Sequence, residues 1–331
     1  MKYLLFNGYD DLRFLEEAIY DEFLVKVTLC GICTGELMEW YVKSKSPYTP
    51  GHEIVGRIIK LPEHIHNFSI GDRVFVHHHG PCMQCIYCKR EEYTSCDIWR
   101  KNKIYPGGFS EIISVPENIY KTDILKIPDF VSDEDAALIE PLACSVKAIR
   151  KLKITYLDKV AVIGLGFMGL LNAKLLKQFG VGKVVGFDFY ENRRTLGTNW
   201  SGLDEVFHPE NFDYKEKFNI VVVGPPSIDA IRFSLKIVDR GGKIILFAPT
   251  PPSETLDLDV NYIYFNEISI IPSYSSGPLD TRIALNLIVS GLIRPSELIT
   301  HRFNFNEIDQ AFKTAKKPEA IKVIVKMGGE I

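Results

Sequence analysis

The sequence predicts an α/β protein in two parts: a β-rich part, then a doubly wound part built on a parallel sheet. Three observations predict it. Residues 22–29, 53–60, 72–76 and 110–115 are β-branched runs, broken by stretches that contain Gly, Pro, Asn and Asp. From residue 158 onward, strand-like runs alternate with segments of helical apolar spacing. A glycine-rich turn, VAVIGLGFMG at 160–169, joins the first of those runs to the first of those helices.

The elements follow in order. The character changes at DEDAALIEPLACSVKAIRKL (133–152), whose apolar residues recur at helical spacing. DKVAVIG then leads into a helix over MGLLNAKLLKQF. KVVGFD, a helix, FNIVVVG, a helix over IDAIRFSLKIV and GGKIILF complete the alternation. Strands separated by crossover helices run parallel. The last fifty residues return to mixed character. They hold helices over TRIALNLIVSGL and NEIDQAFKTA and a closing strand AIKVIVKM.

Composition narrows the function. The 331 residues are enough for two domains with proper cores, and the net charge of −3 with no long single-sign run argues against nucleic acid. The opening segment has too short an apolar run for a signal peptide, and the most apolar window, 160–171, is too short to span a bilayer. A cytoplasmic protein is therefore expected, with no membrane or nucleic-acid partner.

The glycine-rich turn is a GxGxxG between strand and helix. Gly164 permits the tight turn, Gly166 lets the backbone approach a pyrophosphate, and Gly169 lets the helix pack on the strand. Phe167 and Met168 open the helix, whose free N–H groups suit phosphate charge. Asp188, at the end of the next strand, can accept both ribose hydroxyls of NAD and would repel the 2′-phosphate of NADP. Arg193 and Arg194 follow closely and could hold the adenine ribose or accept such a phosphate, so NADP stays open.

Four of the seven cysteines, Cys82, Cys85, Cys88 and Cys96, fall within fifteen residues. In a reducing compartment such a cluster suggests metal before disulfides. Four thiolates close a tetrahedral zinc site with no place for substrate, so this is a structural staple for its loop. A second constellation is scattered: Cys30 and Cys33 in CGIC, His52 and Glu53 in PGHE, and Glu140 in IEPLACS. Cys33, His52 and a carboxylate would make a mixed-ligand zinc site with an open position, although spacing alone does not join them. The HHH run at 77–79 suggests metal less, since adjacent residues of a strand alternate faces.

These residues together resemble the zinc-containing medium-chain alcohol and polyol dehydrogenases, sorbitol-dehydrogenase-like branch. The likeness runs along essentially the whole chain: CGIC (30–33), PGHEIVGRI (50–58), GDRV (71–74), the four-cysteine loop, GGFSE (107–111), IEPLACS (139–145) and the glycine fingerprint. SGPLDTRIAL and LITHRFNFNEIDQAFKTA are similar to the family's closing segments. The resemblance implies a GroES-like catalytic domain from 1–136 and 281–331, with a Rossmann dinucleotide-binding domain, 137–280, between them. It implies Cys33 and His52 as catalytic zinc ligands, Glu53 as ligand or near neighbour, and Glu140 as the carboxylate variant. That makes two zinc ions per chain, one catalytic and one structural.

Further implications concern the cofactor and substrate. Gly224, in GPPS, resembles the family's loop under the nicotinamide, and Ser273 and Tyr274 could meet the carboxamide. Trp40, Tyr41 and Trp99 stand where aromatic residues line the substrate pocket, or else in ordinary core. The family's proton relay has Ser or Thr two residues after the cysteine and His five after; here those positions are Gly35 and Met38, and Glu36 replaces the usual Asp. Thr34, Glu53, a water chain or the substrate's own hydroxyl would have to take over. The function implied is hydride transfer between a secondary alcohol or polyol and NAD, in a homodimer or homotetramer. The alternatives are a zinc- and NAD-binding protein without turnover, or an aldehyde or ketone reductase using NADP.

Overall fold

A computed structural model describes residues 1–328. The chain divides into two compact units, 1–143 with 276–331 and 144–275. Among the described residues, no helix is long and apolar enough to cross a membrane.

The first unit is built on a seven-stranded sheet. Its strands lie in the order Ile299–Asn304, Lys322–Lys326, Leu24–Gly31, Glu53–Lys60, Arg73–Val76 and Ile124–Lys126, with Ile112–Ser114 also paired to Leu24–Gly31. The predicted runs at 22–29, 53–60, 72–76 and 110–115 each form a strand, within a few residues of the expected ends. Both central strands are mostly buried, with Lys26, Thr28, Arg57 and Lys60 at their less buried positions. Leu4, Phe6, Phe23, Val25, Ile54 and Phe109 lie in the core beneath. An N-terminal hairpin, Lys2–Gly8 with Asp11–Glu16, packs Leu4 and Phe6 into it. The composition of the opening residues does not announce that hairpin.

The second unit is a six-stranded, wholly parallel sheet. In space its strands run Glu205–Phe207, Lys183–Phe187, Lys159–Ile163, Phe218–Val223, Val238–Leu246, Ser269–Pro272. Counted in chain order this is 3-2-1-4-5-6, the doubly wound arrangement in which order reverses between the first and fourth strands. The short strand Glu205–Phe207 was not legible, because three half-exposed residues carry no periodicity.

At that reversal the glycine turn does what its residue types require. Gly164 has φ +82°, and a Cβ on it would come within 2.7 Å of Pro225, so the loops after the first and fourth strands touch. A Cβ on Gly169 would lie 1.8 Å from the Gly164 carbonyl oxygen, whereas one on Gly166 would meet nothing closer than Arg193 at 3.9 Å. Gly169 is thus fixed by packing and Gly166 by space left open above it. Accordingly Gly169→Ala should destabilise the protein by about 1–3 kcal/mol, while Gly166→Ala should stay within about 0.5 kcal/mol of wild type. Urea unfolding of the two variants side by side checks this, and equal losses would contradict it.

Candidate active site and metal centres

Cys33 ends the strand-to-helix passage after Leu24–Gly31 and caps the short helix Thr34–Leu37. Its Sγ accepts the Gly35 N–H at 3.4 Å. Glu36, 4% exposed, reaches back over the turn. Its Oε2 accepts the Cys33 N–H at 3.1 Å and its Oε1 accepts the Gly51 N–H at 2.5 Å. The same Oε1 stands 3.4 Å from Nδ1 of His52. One carboxylate therefore ties two segments, 33–37 and 51–53, and leaves Nε2 of His52 free to act as a ligand.

Glu53 begins the next strand and is 1% exposed. Its ligand atom lies within 4.8 Å of those of Cys33 and His52, so sequence-distant residues do converge. Glu53 also pairs with Lys322, whose Nζ donates to Oε1 at 2.6 Å and to the Ile32 carbonyl at 2.9 Å. Burial raises the Glu53 pKa, and the Lys322 charge offsets part of that rise. At His52, burial favours the neutral ring, but the Cys33 thiolate and the Glu36 carboxylate together hold its pKa well above the ordinary value. The centre is thus a negative pocket that attracts a cation, as a metal position needs.

Glu140, in the first turn of the helix Ile139–Arg150 and 4% exposed, takes a different company. Its ligand atom lies within 4.8 Å of ring nitrogens of His77 and His78, and its charge also acts on Glu53 and on Tyr41 beside the Cys33 turn. The expectation that adjacent histidines would face opposite ways does not hold here, because the strand Arg73–Val76 ends before them. Only His79 turns away; it stacks on Trp99 at 4.2 Å between centroids, and burial beside His77 pulls its pKa down to about 3. Burial and its neighbour His79 likewise hold the His78 pKa well below the usual value.

Cys82, Cys85, Cys88 and Cys96 form the third group. Their sulfurs stand 3.9 Å (Cys82–Cys88) and 3.5 Å (Cys85–Cys88) apart, and all are free of disulfides. A tetrahedron of Zn–S bonds near 2.3 Å has edges of about 3.8 Å, so this spacing fits zinc. Backbone N–H groups of Gln84 and Cys85 point at Cys82 and pull its thiol down to about 6. Trp99, 1% exposed, packs with Cys88, Tyr93 and Cys96 in the loop's small core, not in a pocket. Tyr41 is partly buried beside the Cys33 turn, 3.7 Å from where a Gly35 Cβ would lie, and is edge-on to Trp40.

In the second unit the expected dinucleotide residues all fall at the carboxyl ends of parallel strands. Gly164 follows Ile163, Asp188 follows Phe187, Gly224 follows Val223, and Ser273 follows Pro272. Gly166 caps the helix Phe167–Gln178, which Met168 and Gly169 continue. Asp188, 6% exposed, accepts the Leu165 N–H at 2.7 Å and the Tyr190 N–H at 2.8 Å. Arg193 stands 3.9 Å from it. The Ser273 hydroxyl is buried with no hydrogen-bond partner, and Tyr274 is 57% exposed.

Sequence reasoning missed Lys322 and Asp123. Lys322 carried one signal, a charge inside the apolar run AIKVIVKM. Asp123, buried with His77, carried none.

The family model "Alcohol dehydrogenase GroES-like domain" matches residues 20–129. The chain is 28% identical to a D-arabitol-phosphate dehydrogenase of Enterococcus avium, over 98% of this chain and 96% of that protein. It is also 28% identical to a sorbitol dehydrogenase of Halalkalibacterium halodurans, over 91% and 90%. A zinc-binding dehydrogenase of Sinorhizobium meliloti 1021, solved with NADP, superposes with TM-score 0.86 at 22% identity, over 98% of each chain.

The buried Glu53–Lys322 pair gives a prediction for the protein freed of metal. Lys322→Met leaves a buried carboxylate without its cation and should destabilise by about 3–5 kcal/mol, whereas Glu53→Leu with Lys322→Met should recover most of that loss. Denaturant melts of the single and double variants decide it; an equally damaging double variant would mean that the pair does not act as a unit.

Proposed function

Because this chain belongs to the zinc-containing medium-chain alcohol and polyol dehydrogenases, we propose that it moves hydride between a polyol or other secondary alcohol and NAD. The observation that carries this reading is the meeting of Cys33, His52 and Glu53 within 4.8 Å, from segments that sequence alone does not join. Zinc there would supply Lewis acidity towards the alcohol oxygen, and the nicotinamide would supply the hydride chemistry. The protein's own residues do the rest. Gly35 N–H holds the Cys33 sulfur in place, and Glu36 orients His52. Glu53 serves as ligand only by sharing its carboxylate with Lys322. Glu140 is the other carboxylate at hand.

We assign Cys82, Cys85, Cys88 and Cys96 to a structural zinc, and Gly164, Gly166, Phe167, Met168, Gly169, Asp188, Arg193, Gly224 and Ser273 to the dinucleotide. Seven cysteines without a disulfide suit the cytoplasm. Ser269–Pro272 is an edge strand, and Val260, Tyr264 and Phe265 in the helix before it are exposed; both features support a homodimer or homotetramer. The names of the arabitol-phosphate and sorbitol enzymes favour a polyol substrate.

A screen of polyols, amino alcohols and simple alcohols, followed by NADH absorbance, tests the reading. Polyols should turn over fastest. Absence of turnover with every class, with dinucleotide binding intact, would favour a binding protein. His52→Ala should abolish turnover and release one zinc while leaving NAD affinity nearly unchanged, which calorimetry with the dinucleotide measures.

Two further variants address the other assignments. Asp188→Gly removes the charge that opposes a 2′-phosphate, so preference should shift towards NADP by at least about tenfold, equivalent to ~1.4 kcal/mol. A wild-type protein that already prefers NADP would overturn the Asp188 assignment. Cys88→Ser should lower both bound zinc and Tm, because the loop's own core holds few residues; unchanged zinc content by elemental analysis would remove the structural site.

A further inference from the structure

We infer that the substrate is a polyol carrying a terminal phosphate, and that Lys45 and Lys103 hold that phosphate beside the Cys33–His52 centre. This deepens the proposed function and rests on that reading for the polyol; the phosphate is argued from the two lysines.

Lys45 approaches from the Cys33 side. It closes the short helix Glu39–Lys45. In that helix Lys43 turns back to Glu39 as an ion pair. Lys45 turns back to Tyr41 instead: its Nζ donates to the phenol oxygen and lies 3.9 Å from the ring centre. The Tyr41 ring borders the space left by Gly35. A Cβ on Gly35 would meet Tyr41 Cε1 at 3.7 Å and Cys33 Sγ at 3.8 Å, so ring and sulfur bound one open spot. The Lys45 ammonium thus rides on the side chain that walls the Cys33 sulfur.

Lys103 approaches from the histidine side. Its backbone pairs with His79 in an isolated antiparallel bridge. The His79 ring lies 4.3 Å from that of His78, and the His78 ring 4.8 Å from that of His52, between centroids. A row of three rings therefore runs from Lys103 to a ligand of the centre.

The two cations act on each other. Partial burial of its ammonium and the Lys45 charge both lower the Lys103 pKa, and no carboxylate is among the groups that act on it. The Lys45 charge also reaches His78. Among the described residues Lys103 is in no ion pair. Elsewhere on the surface a lysine answers to a carboxylate, as Lys121 does to Glu117 and Lys313 to Asp309. Like charges left together are unfavourable, and an anion between them reverses the sign of the interaction.

Charge selects the anion. A phosphate monoester carries about −1.5 to −2 at neutral pH and matches two ammonium groups, where a carboxylate matches one. Lysine binds phosphate as a point charge. Both lysines are exposed, so the pair is open to an incoming ligand. The buried carboxylates of Glu36, Glu53 and Glu140 repel a phosphate at the centre itself, which puts it at the end of the substrate away from the reacting carbon.

The test compares a pentitol with its terminal phosphate ester on the zinc-loaded full chain with NAD. Wild type should show kcat/KM at least about tenfold higher for the ester, as charge-assisted contacts allow. Equal values overturn the inference and leave the polyol reading standing. Lys45→Met and Lys103→Met should each lower that ratio severalfold, chiefly through KM, and the double variant should bring it close to one; Lys103→Arg should keep most of it, since the charge remains. The readout is a ratio between two substrates, so a general loss of activity cancels. The preference should also shrink as salt rises, because exposed charges are screened over ~10 Å at about 0.1 M. An aldonate of the same length used as well as the ester overturns the phosphate in favour of a carboxylate. If neither pentitol nor ester turns over, the dehydrogenase reading fails by itself. Calorimetry with the pentitol phosphate then decides this one: binding about tenfold weaker in the double variant upholds it, and equal binding overturns it.

Discussion

The buried ion pair of Glu53 with Lys322 is the constraint on which the first unit depends. The two side chains are 1% and 3% exposed, and neither has water to fall back on. Glu53 starts one strand and Lys322 starts another, and both strands flank Leu24–Gly31, which leads into the Cys33 turn. The pair therefore bolts the C-terminal segment across the strand that delivers Cys33. Gly31 is part of the same device, since a Cβ there would lie 1.9 Å from Oε2 of Glu53. Burying such a pair is weak as a source of stability, because desolvation opposes the attraction. Its value lies in register: with either charge misplaced, the other stays buried alone.

The same electrostatics explain why the centre suits a metal. Cys33, Glu36 and Glu53 bring three groups that are negative when ionised to one place, beside the cation Lys322. The upward shift at His52 reports that surplus. A divalent cation would balance it, and the geometry already provides the backbone N–H groups that keep Glu36 and Cys33 in place. Glu36 is longer than the Asp usual in the family, and it uses that length to bridge from the Cys33 turn to Gly51. At Gly35 and Met38, where the family keeps its relay, this chain offers no titratable group, and Glu53 is held by Lys322. Thr34, exposed beside the cysteine, retains a hydroxyl.

Legibility in the sequence followed locality. The glycine turn, the parallel alternation and the four-cysteine loop are local patterns, and each stands in the structure where its spacing puts it. The grouping of Cys33, His52 and Glu53 is not local; family resemblance proposed it and the sheet register effects it. Glu140 shows the boundary. Its residue type pointed to metal, but which histidines it would meet depended on where the strand Arg73–Val76 stops, and that is set by tertiary pairing with Glu53–Lys60 and Ile124–Lys126. The hairpin Lys2–Gly8 with Asp11–Glu16 was silent for a related reason, because its second strand is mostly exposed and so lacks alternation.

Asp188 carries the last step. Its two oxygens already hold the N–H of Leu165 in the glycine turn and of Tyr190 in the following turn. An ionised carboxylate has about four acceptor sites, so two remain for ribose hydroxyls. The residue that would read the cofactor is thus also the one that shapes the loop cradling it. Removing its charge alone, and removing its acceptors, are different perturbations: in the proposed reading the first would alter which dinucleotide is preferred, the second would loosen the loop for either. Arg193, 3.9 Å away and beside the open space over Gly166, is held by the same carboxylate. In the proposed reading, discrimination at this position would rest on how Asp188 divides its charge between an arginine, two backbone donors and a sugar, rather than on repulsion alone.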